Sequence, residues 1–453
     1  EILNKKTLLI MLFLLTALWI SFSALQNSLP MVDPAEVGFS SKQLGKIESH
    51  FQDRVDRGEI AGIVTLVARN GKIAHISAVG YQDVEQEIPM KTNTLFRIYS
   101  MTKPIASTAL MTLYQDNQFQ LNDPLSKFIP EFKDLHVLKH PNAPLDEIIE
   151  MEHEPSVLDI LRHTAGFAHG LGDSEYDNAF VETGIFRPET SLAEMMIALS
   201  SIPLVNQPSS AYRYSVGPDI ALRLVEVISG MQVDDYLEQF IFEPLGMDDT
   251  GYVVSPENAY RLSPVHWLKE GKLVPINTKH GSPPGGVLGE NWSVNNYTID
   301  HEYKGGSLGL LSTAEDYWRF AQAVLDGGKH NNKRIIDKET IKLMTQNHLT
   351  EQQQYLAAIN YQESSWDPQT LSPDIGFGLG FAIIEGVSDP GDTASKGSLF
   401  WGGAAATYFW IDPAEDIVVV AMTQHMGVDG VWSIEGELAE LVYGALVERN
   451  KLN

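Results

Sequence analysis

A chain of 453 residues, 43% hydrophobic and 20% charged, is long enough for one large or two to three ordinary domains around a sizeable core. Its formal net charge of −27, from 59 Asp and Glu against 32 Lys and Arg, repels polyanions and argues against nucleic acid or an anionic lipid surface as partner. It has no cysteine, which excludes disulfides, thiolate metal sites, a Cys nucleophile and lipidation on Cys.

At the start, Lys5 and Lys6 precede an apolar run from Leu8 to Leu18 that continues through Trp19 and Ile20, and Ser21-Phe22-Ser23 then supplies small residues. This layout predicts a secretory signal within residues 1–28. The alternative is an uncleaved anchor, since Leu8–Leu25 is just long enough to span a bilayer. Either way the body is expected outside the cytoplasm, periplasmic or secreted, and a membrane is a partner only if the segment stays uncleaved.

Ala61–Ala68 and Ile73–Val79 then flank Asn70-Gly71, the pattern of a β-hairpin. A second strand pair is predicted at Ala405–Ile411 and Ile417–Met422. Between the pairs the chain reads as mainly helical, with helices over Pro104–Asn117, Ser191–Leu199, Pro218–Ile228, Val233–Phe240, Ala314–Leu325 and Lys338–Met344, and a last one over Glu435–Val447. Strands near both ends with helices between predict an α+β fold, its antiparallel sheet built from N- and C-terminal segments and flanked by helices, with an inserted mainly helical domain. The expected division is a sheet domain over 29–103 and 310–453 and a helical domain carrying active-site loops over 104–309. Two polar stretches, His280–Gly309 and Thr350–Asp374, read as long loops, and loops of that length are usually functional or disordered.

The most informative segment is Arg97-Ile98-Tyr99-Ser100-Met101-Thr102-Lys103-Pro104. Pro104 suits the first turn of a helix, so Ser100 is expected at the helix N-terminus, where unpaired N–H groups favour a developing anion. Lys103 lies three residues on, on the same face, and its row continues through the apolar Ala106, Leu110 and Leu113. A Lys facing inward beside a Ser loses basicity and can take its proton; a Lys snorkelling to solvent is the competing reading of the same spacing.

Further motifs decide between them. Ser100-Met101-Thr102-Lys103 resembles the Ser-x-x-Lys of serine β-lactamases and penicillin-binding proteins. Tyr212-Arg213-Tyr214-Ser215-Val216-Gly217 resembles the Tyr-x-Asn second motif of class C β-lactamases, and Trp401-Gly402-Gly403 resembles the third motif, usually Lys-Thr-Gly or His-x-Gly. Asn122-Asp123-Pro124-Leu125, Leu161-Arg162-His163-Thr164-Ala165-Gly166 and Gly309-Leu310-Leu311-Ser312-Thr313-Ala314 look like the same group, in the same order. With Ser-Met-Thr-Lys-Pro, Tyr-Ser-Val and Trp-Gly-Gly all present, the chain from about Gly38 to Val447 resembles family VIII carboxylesterases, esterases built on the class C β-lactamase fold. That resemblance implies an acyl-enzyme on Ser100, with Lys103 and Tyr214 handling the proton and the backbone N–H groups of Ser100 and Ala404 forming an oxyanion hole. Lys103 is the cation expected to lower the pKa of Tyr214. Tyr212, the rival tyrosine, is expected to pack as an aromatic. Trp401, Gly402, Gly403 and Val216 are expected to bind substrate. Trp401 stands where a β-lactamase commonly has Lys, and Val216 where it has Asn, which favours small to medium apolar acyl esters over anionic β-lactams.

Other patterns are weaker. Gly305-Gly306-Ser307-Leu308-Gly309 fits the G-x-S-x-G nucleophile elbow, but the preceding residues are too polar for a central strand, so Ser307 reads as turn chemistry. His163 and His169 read as turn residues rather than ligands, and His425, after a core strand, as a residue bordering the site. No metal-binding His pair and no Gly-rich phosphate loop after a strand is present, so neither metal nor other cofactor is expected. The alternatives to a small-molecule esterase are a β-lactamase, a D-aminopeptidase or a DD-peptidase on the same scaffold, or a catalytically silent penicillin-binding relative.

Overall fold

A computed structural model describes residues 29–170, 175–281, 296–354, 374–386, 394–426 and 433–450. The predicted signal or anchor segment, Ser282-Pro283-Pro284-Gly285-Gly286 and most of the polar stretch Thr350–Asp374 lie outside the described residues.

The predicted hairpin lies in the sheet next to one of its edges. Strand β1 (Gly62–Arg69) turns at Asn70 and Gly71, both with positive φ (54° and 71°), into β2 (Lys72–Asp83). Asn-Gly accepts that left-handed turn, whose twist matches the flanking strands. After β3 (Ile88–Pro89), the remaining strands of the sheet come from the C-terminal third: β4 (Ile375–Phe377), β5 (Ala382–Ile384), β6 (Leu399–Gly403), β7 (Thr407–Asp412) and β8 (Ile417–Met422). The order is β4-β5-β6-β7-β8-β1-β2-β3, antiparallel throughout, with β8 pairing to β1 from Val64↔Met422 to Arg69↔Ile417. The α+β sheet expected from segments at both ends is therefore observed.

Both faces of the sheet are covered, and the period-2 alternation of strand residues sorts the core into two layers. On β8, Ile417, Val419 and Ala421 join a cluster with Ile47 and Phe51 of α1 (Lys46–Asp56) and Leu438 and Val442 of the C-terminal helix (Ile434–Gly444). Val418, Val420 and Met422 face the opposite way, into a larger cluster with α2 (Thr102–Gln115), α3 (Gly217–Ser229) and α4 (Ala314–Leu325). A strand enclosed on both sides reads as a continuous apolar run, as β1 and β8 do.

The reading of the middle as mainly helical missed several strands. Hairpins form at His136–Leu138 with Ile148–Glu150 and at His266–Lys269 with Lys272–Pro275, and β4, β5 and β6 extend the sheet. Strands of two to five residues carry too few alternations to be recognised, and their place is set by the neighbouring strand. Trp401-Gly402-Gly403 thus lies on a sheet strand.

Candidate active site

The segment around Ser100 is held between the sheet and the helical layer. Phe96–Arg97 pairs antiparallel with Leu311–Ser312, and the Ile98 N–H donates to the Leu310 carbonyl at 3.1 Å. Tyr99 then adopts φ 43°, a left-handed conformation rare for a bulky residue, and a 3-10 turn over Tyr99–Met101 leads into α2. Such a conformation costs of order 1–3 kcal/mol and persists only where packing enforces it; Tyr99 is fully buried. Ser100 is presented from this turn, two residues ahead of the helix, which begins at Thr102 rather than at the expected Pro104.

Lys103 points inward as expected and is 2% exposed. Its Nζ lies 3.1 Å from Ser100 Oγ and donates to the Ser307 carbonyl at 2.8 Å. Burial pushes its pKa down to about 7, opposed by the charge of Asp219. Tyr214 donates from its hydroxyl to Ser100 Oγ at 2.7 Å, and the Lys103 Nζ sits over its ring, 4.5 Å from the centroid. The structure thus brings Ser100, Lys103 and Tyr214 onto one oxygen. The expected lowering of the Tyr214 pKa does not occur. Burial raises it well above 10, and the nearby lysine, shifted toward neutrality itself, does not offset this. Tyr212 is buried, with its ring 5.5 Å from Phe377 and 5.8 Å from His163 and its hydroxyl without a hydrogen-bond partner among the described residues, in keeping with a packing role.

The third motif approaches from β6. A Cβ on Gly403 would lie 2.3 Å from the Ile98 carbonyl oxygen and from Thr407 Oγ1, so only glycine lets the strand end come this close to the turn that carries Ser100. Ala404 opens the turn that follows. The turn is tied down by Thr423 Oγ1, which donates to the carbonyls of Ala405 at 3.0 Å and Ala406 at 2.8 Å, and Ala406 has φ 59°. Trp401 is half-buried, its ring 5.5 Å from those of Tyr214 and Phe377. Its indole N–H lies close enough to the Tyr214 hydroxyl to favour the ionised phenol, yet no acceptor meets it at hydrogen-bonding geometry.

Val216 corrects one expectation. Fully buried at the N-terminus of α3, it donates its N–H to the Ala168 carbonyl at 3.0 Å and packs in the main core. With no exposed surface, it offers no wall to an acyl group.

Several site residues escaped the sequence. Asp219, in the first turn of α3, is fully buried and accepts from the hydroxyl and N–H of Ser307 and from the Tyr303 hydroxyl at 2.7 Å. Ser307 is itself fully buried, so it is no exposed elbow nucleophile; its backbone holds Lys103 and its side chain holds Asp219. Gly306 allows this, since a Cβ there would meet the Pro218 carbonyl oxygen at 2.1 Å. His163 and His169 are buried against Tyr214, the first with its ring centroid 5.1 Å away, the second stacked at 5.1 Å and 4°. Burial, with the charge of Lys103, keeps both imidazoles neutral. The His425 imidazole Nε2 accepts from the Ala61 N–H at 2.8 Å and its backbone N–H donates to the Ala405 carbonyl at 3.0 Å, underpinning the turn rather than bordering the site.

Comparison with known proteins identifies the family of the chain. Esterase EstB of Burkholderia gladioli is 25% identical over 422 residues, covering 91% of this chain and 98% of that protein. A protein of Salmonella agona provisionally named a D-alanyl-D-alanine carboxypeptidase is 30% identical over 362 residues, covering 75% and 77%. The solved structure of EstCE1, a hydrolase with promiscuous acyltransferase activity, superposes with a TM-score of 0.73 at 24% identity, covering 89% of this chain and 99% of that one. The Beta-lactamase family model matches residues 47–442, and the chain belongs to that family.

Proposed function

We propose that the protein hydrolyses small to medium carboxylic esters through an acyl-enzyme on Ser100. One observation carries this reading: Ser100 Oγ lies within 3.1 Å of a buried lysine amine whose pKa has fallen to about 7, and accepts a hydrogen bond from Tyr214. A base poised near neutrality takes a serine proton most effectively at working pH. Lys103, as the free amine, takes the Ser100 proton as Oγ bonds to the acyl carbon. The carbonyl electron pair moves onto its oxygen, which the N–H groups of Ser100 and Ala404 receive. Collapse of this intermediate expels the alcohol, which leaves with a proton passed from the Lys103 ammonium through the Tyr214 hydroxyl. Water then attacks the acyl-enzyme with its proton going to Lys103, and Ser100 Oγ regains one as the acid departs. Tyr214 stays a neutral phenol and relays protons, while Lys103 is the base.

Substrate preference follows from what lies beside Ser100. Trp401 presents an indole where the family commonly places a cation, and a charge-assisted hydrogen bond to a substrate carboxylate is worth about 1.5–3 kcal/mol. Its loss favours neutral acyl esters over anionic β-lactams, and the esterase relative is consistent with this. Peptidase or β-lactamase activity, toward which the Salmonella relative points, is the second reading. Comparing kcat/KM for p-nitrophenyl butyrate and nitrocefin on one preparation decides between them: faster ester turnover is expected, and faster nitrocefin turnover overturns the proposal. Export is part of the same reading, supported by Lys5, Lys6 and the apolar run after them. N-terminal sequencing of the natively expressed protein should find a chain beginning near Ala24, and a retained, membrane-extracted segment would indicate an anchor.

A further inference from the structure

The buried carboxylate of Asp219 has no direct contact with Ser100, yet it is the acidic group that faces Lys103 from α3. It is linked to Lys103 through one residue: the Ser307 hydroxyl and N–H donate to the carboxylate, and the Ser307 carbonyl accepts from Lys103 Nζ at 2.8 Å. Tyr303 supplies a third donor at 2.7 Å. We propose that Asp219 is a positioning residue that fixes the Ser307 carbonyl against Lys103 and sets how readily that lysine gives up its proton. The proposal rests on Lys103 acting as the base.

The remaining groups facing Lys103 do not supply this charge. Tyr214 and the imidazoles of His163 and His169 are held neutral by burial. Asp219 itself is faced by Lys103, Ser307, Tyr303 and, more distantly, Tyr252. Burial raises the Asp219 pKa, whereas the Ser307 and Tyr303 donors and the Lys103 charge favour its ionised form. A carboxylate without those donors would be expelled or protonated in a site this dry, and an ammonium without the carboxylate would lose its proton still lower. The Asp219–Ser307 pair therefore offsets part of the burial penalty on Lys103 and keeps its titration near neutrality.

The test is the pH dependence of kcat/KM for p-nitrophenyl butyrate in wild type and Asp219→Asn, with folding checked by circular dichroism and Ser100 reactivity by phosphonate labelling at pH 9. In the wild type, activity should fall on the acid side with a midpoint near 7, as Lys103 becomes protonated. Removing the negative charge makes the ammonium less favourable, so the limb in Asp219→Asn should move to lower pH by about one unit or more. Tyr303→Phe, which removes one donor and makes the carboxylate easier to protonate, should shift it the same way by less, and carries the test if Asp219→Asn does not fold. A folded Asp219→Asn that is slower at every pH with its acid limb unmoved overturns the proposal and leaves Asp219 a packing residue. A wild type lacking any acid limb near neutral pH overturns instead the assignment of Lys103 as base, and the proposal with it.

Discussion

Replacing Gly403 by alanine tests whether the end of β6 positions the oxyanion turn. The added Cβ would stand 2.3 Å from the Ile98 carbonyl oxygen and 2.3 Å from Thr407 Oγ1. An ordinary carbon–oxygen contact begins near about 3.3 Å, so the strand end and the nucleophile turn must separate by about 1 Å. Thr407 can rotate; the Ile98 carbonyl, two residues before Ser100 and followed by a strained Tyr99, has little room to yield. Overpacking of this kind costs about 1–3 kcal/mol of stability, and a shift of about 1 Å in catalytic geometry costs about 100-fold in rate. Gly403→Ala should accordingly lower kcat for p-nitrophenyl butyrate by about 100-fold with little change in KM, because the proposed mechanism has the displaced N–H of Ala404 act on the transition state. Gly402→Ala is the control: its Cβ would meet Tyr408 Cδ1 at 3.1 Å and the Thr407 carbonyl at 3.3 Å, distances that need only tenths of an ångström of relief. Its loss should be less than about tenfold. A folded Gly403→Ala within a few-fold of wild type, or a Gly402→Ala equally impaired, would refute the reasoning.

Other expectations follow from the same geometry. Lys103→Ala and Tyr214→Phe should each lower kcat by about 10²–10⁴-fold with the fold retained, whereas Tyr212→Phe should cost far less; steady-state kinetics with thermal melts of the three variants checks this. Stability should fall as pH drops from about 6.5 toward 4, because His266 and His330, with folded pKa values pushed down to about 4, remain neutral in the folded protein while the unfolded chain takes up protons. Their contribution is fully present above the unfolded imidazole value and is lost below it. Asp316 and Glu435, pushed up to about 7, and Asp219, raised by burial, act in the opposite sense over the same range, but His75 is also pushed down to about 4 and His163, His169 and His425 are held well below their ordinary value, so the more numerous imidazoles prevail. A melting temperature that is flat or rises between pH 6.5 and 4.5 would contradict this.

Much of the site was legible in the sequence because it lies on long, strongly patterned elements. The Ser100–Lys103 spacing, Pro104 and the apolar row Ala106–Leu110–Leu113 favoured an inward lysine at the start of a helix, the further motifs decided against a snorkelling one, and the structure has it inward. Tyr214 was legible from its motif. Its titration was not, since spacing shows which charges are near but not how dry the site is, and burial outweighs proximity here. Asp219 was hidden for a different reason. An acidic residue in the first turn of a helix is ordinary dipole compensation, and only its burial against Ser307 and Tyr303 sets it apart. His163 and His169 lay among glycines and read as turn residues, and indeed His163 has φ 57°, but the turn places their rings on Tyr214. The strands β4, β5 and β6 were illegible because three to five residues interrupted by Gly376 and Gly402 take their conformation from pairing with neighbours distant in sequence.

The central claim is that Ser100 carries the acyl group during ester turnover. Rapid acid quenching of the enzyme during hydrolysis of p-nitrophenyl butyrate, followed by proteolysis and mass spectrometry, tests it most directly. A butyryl adduct confined to the peptide containing Ser100, and absent from Ser100→Ala, is expected. Ester turnover persisting in Ser100→Ala, or an adduct on Ser307, would contradict it.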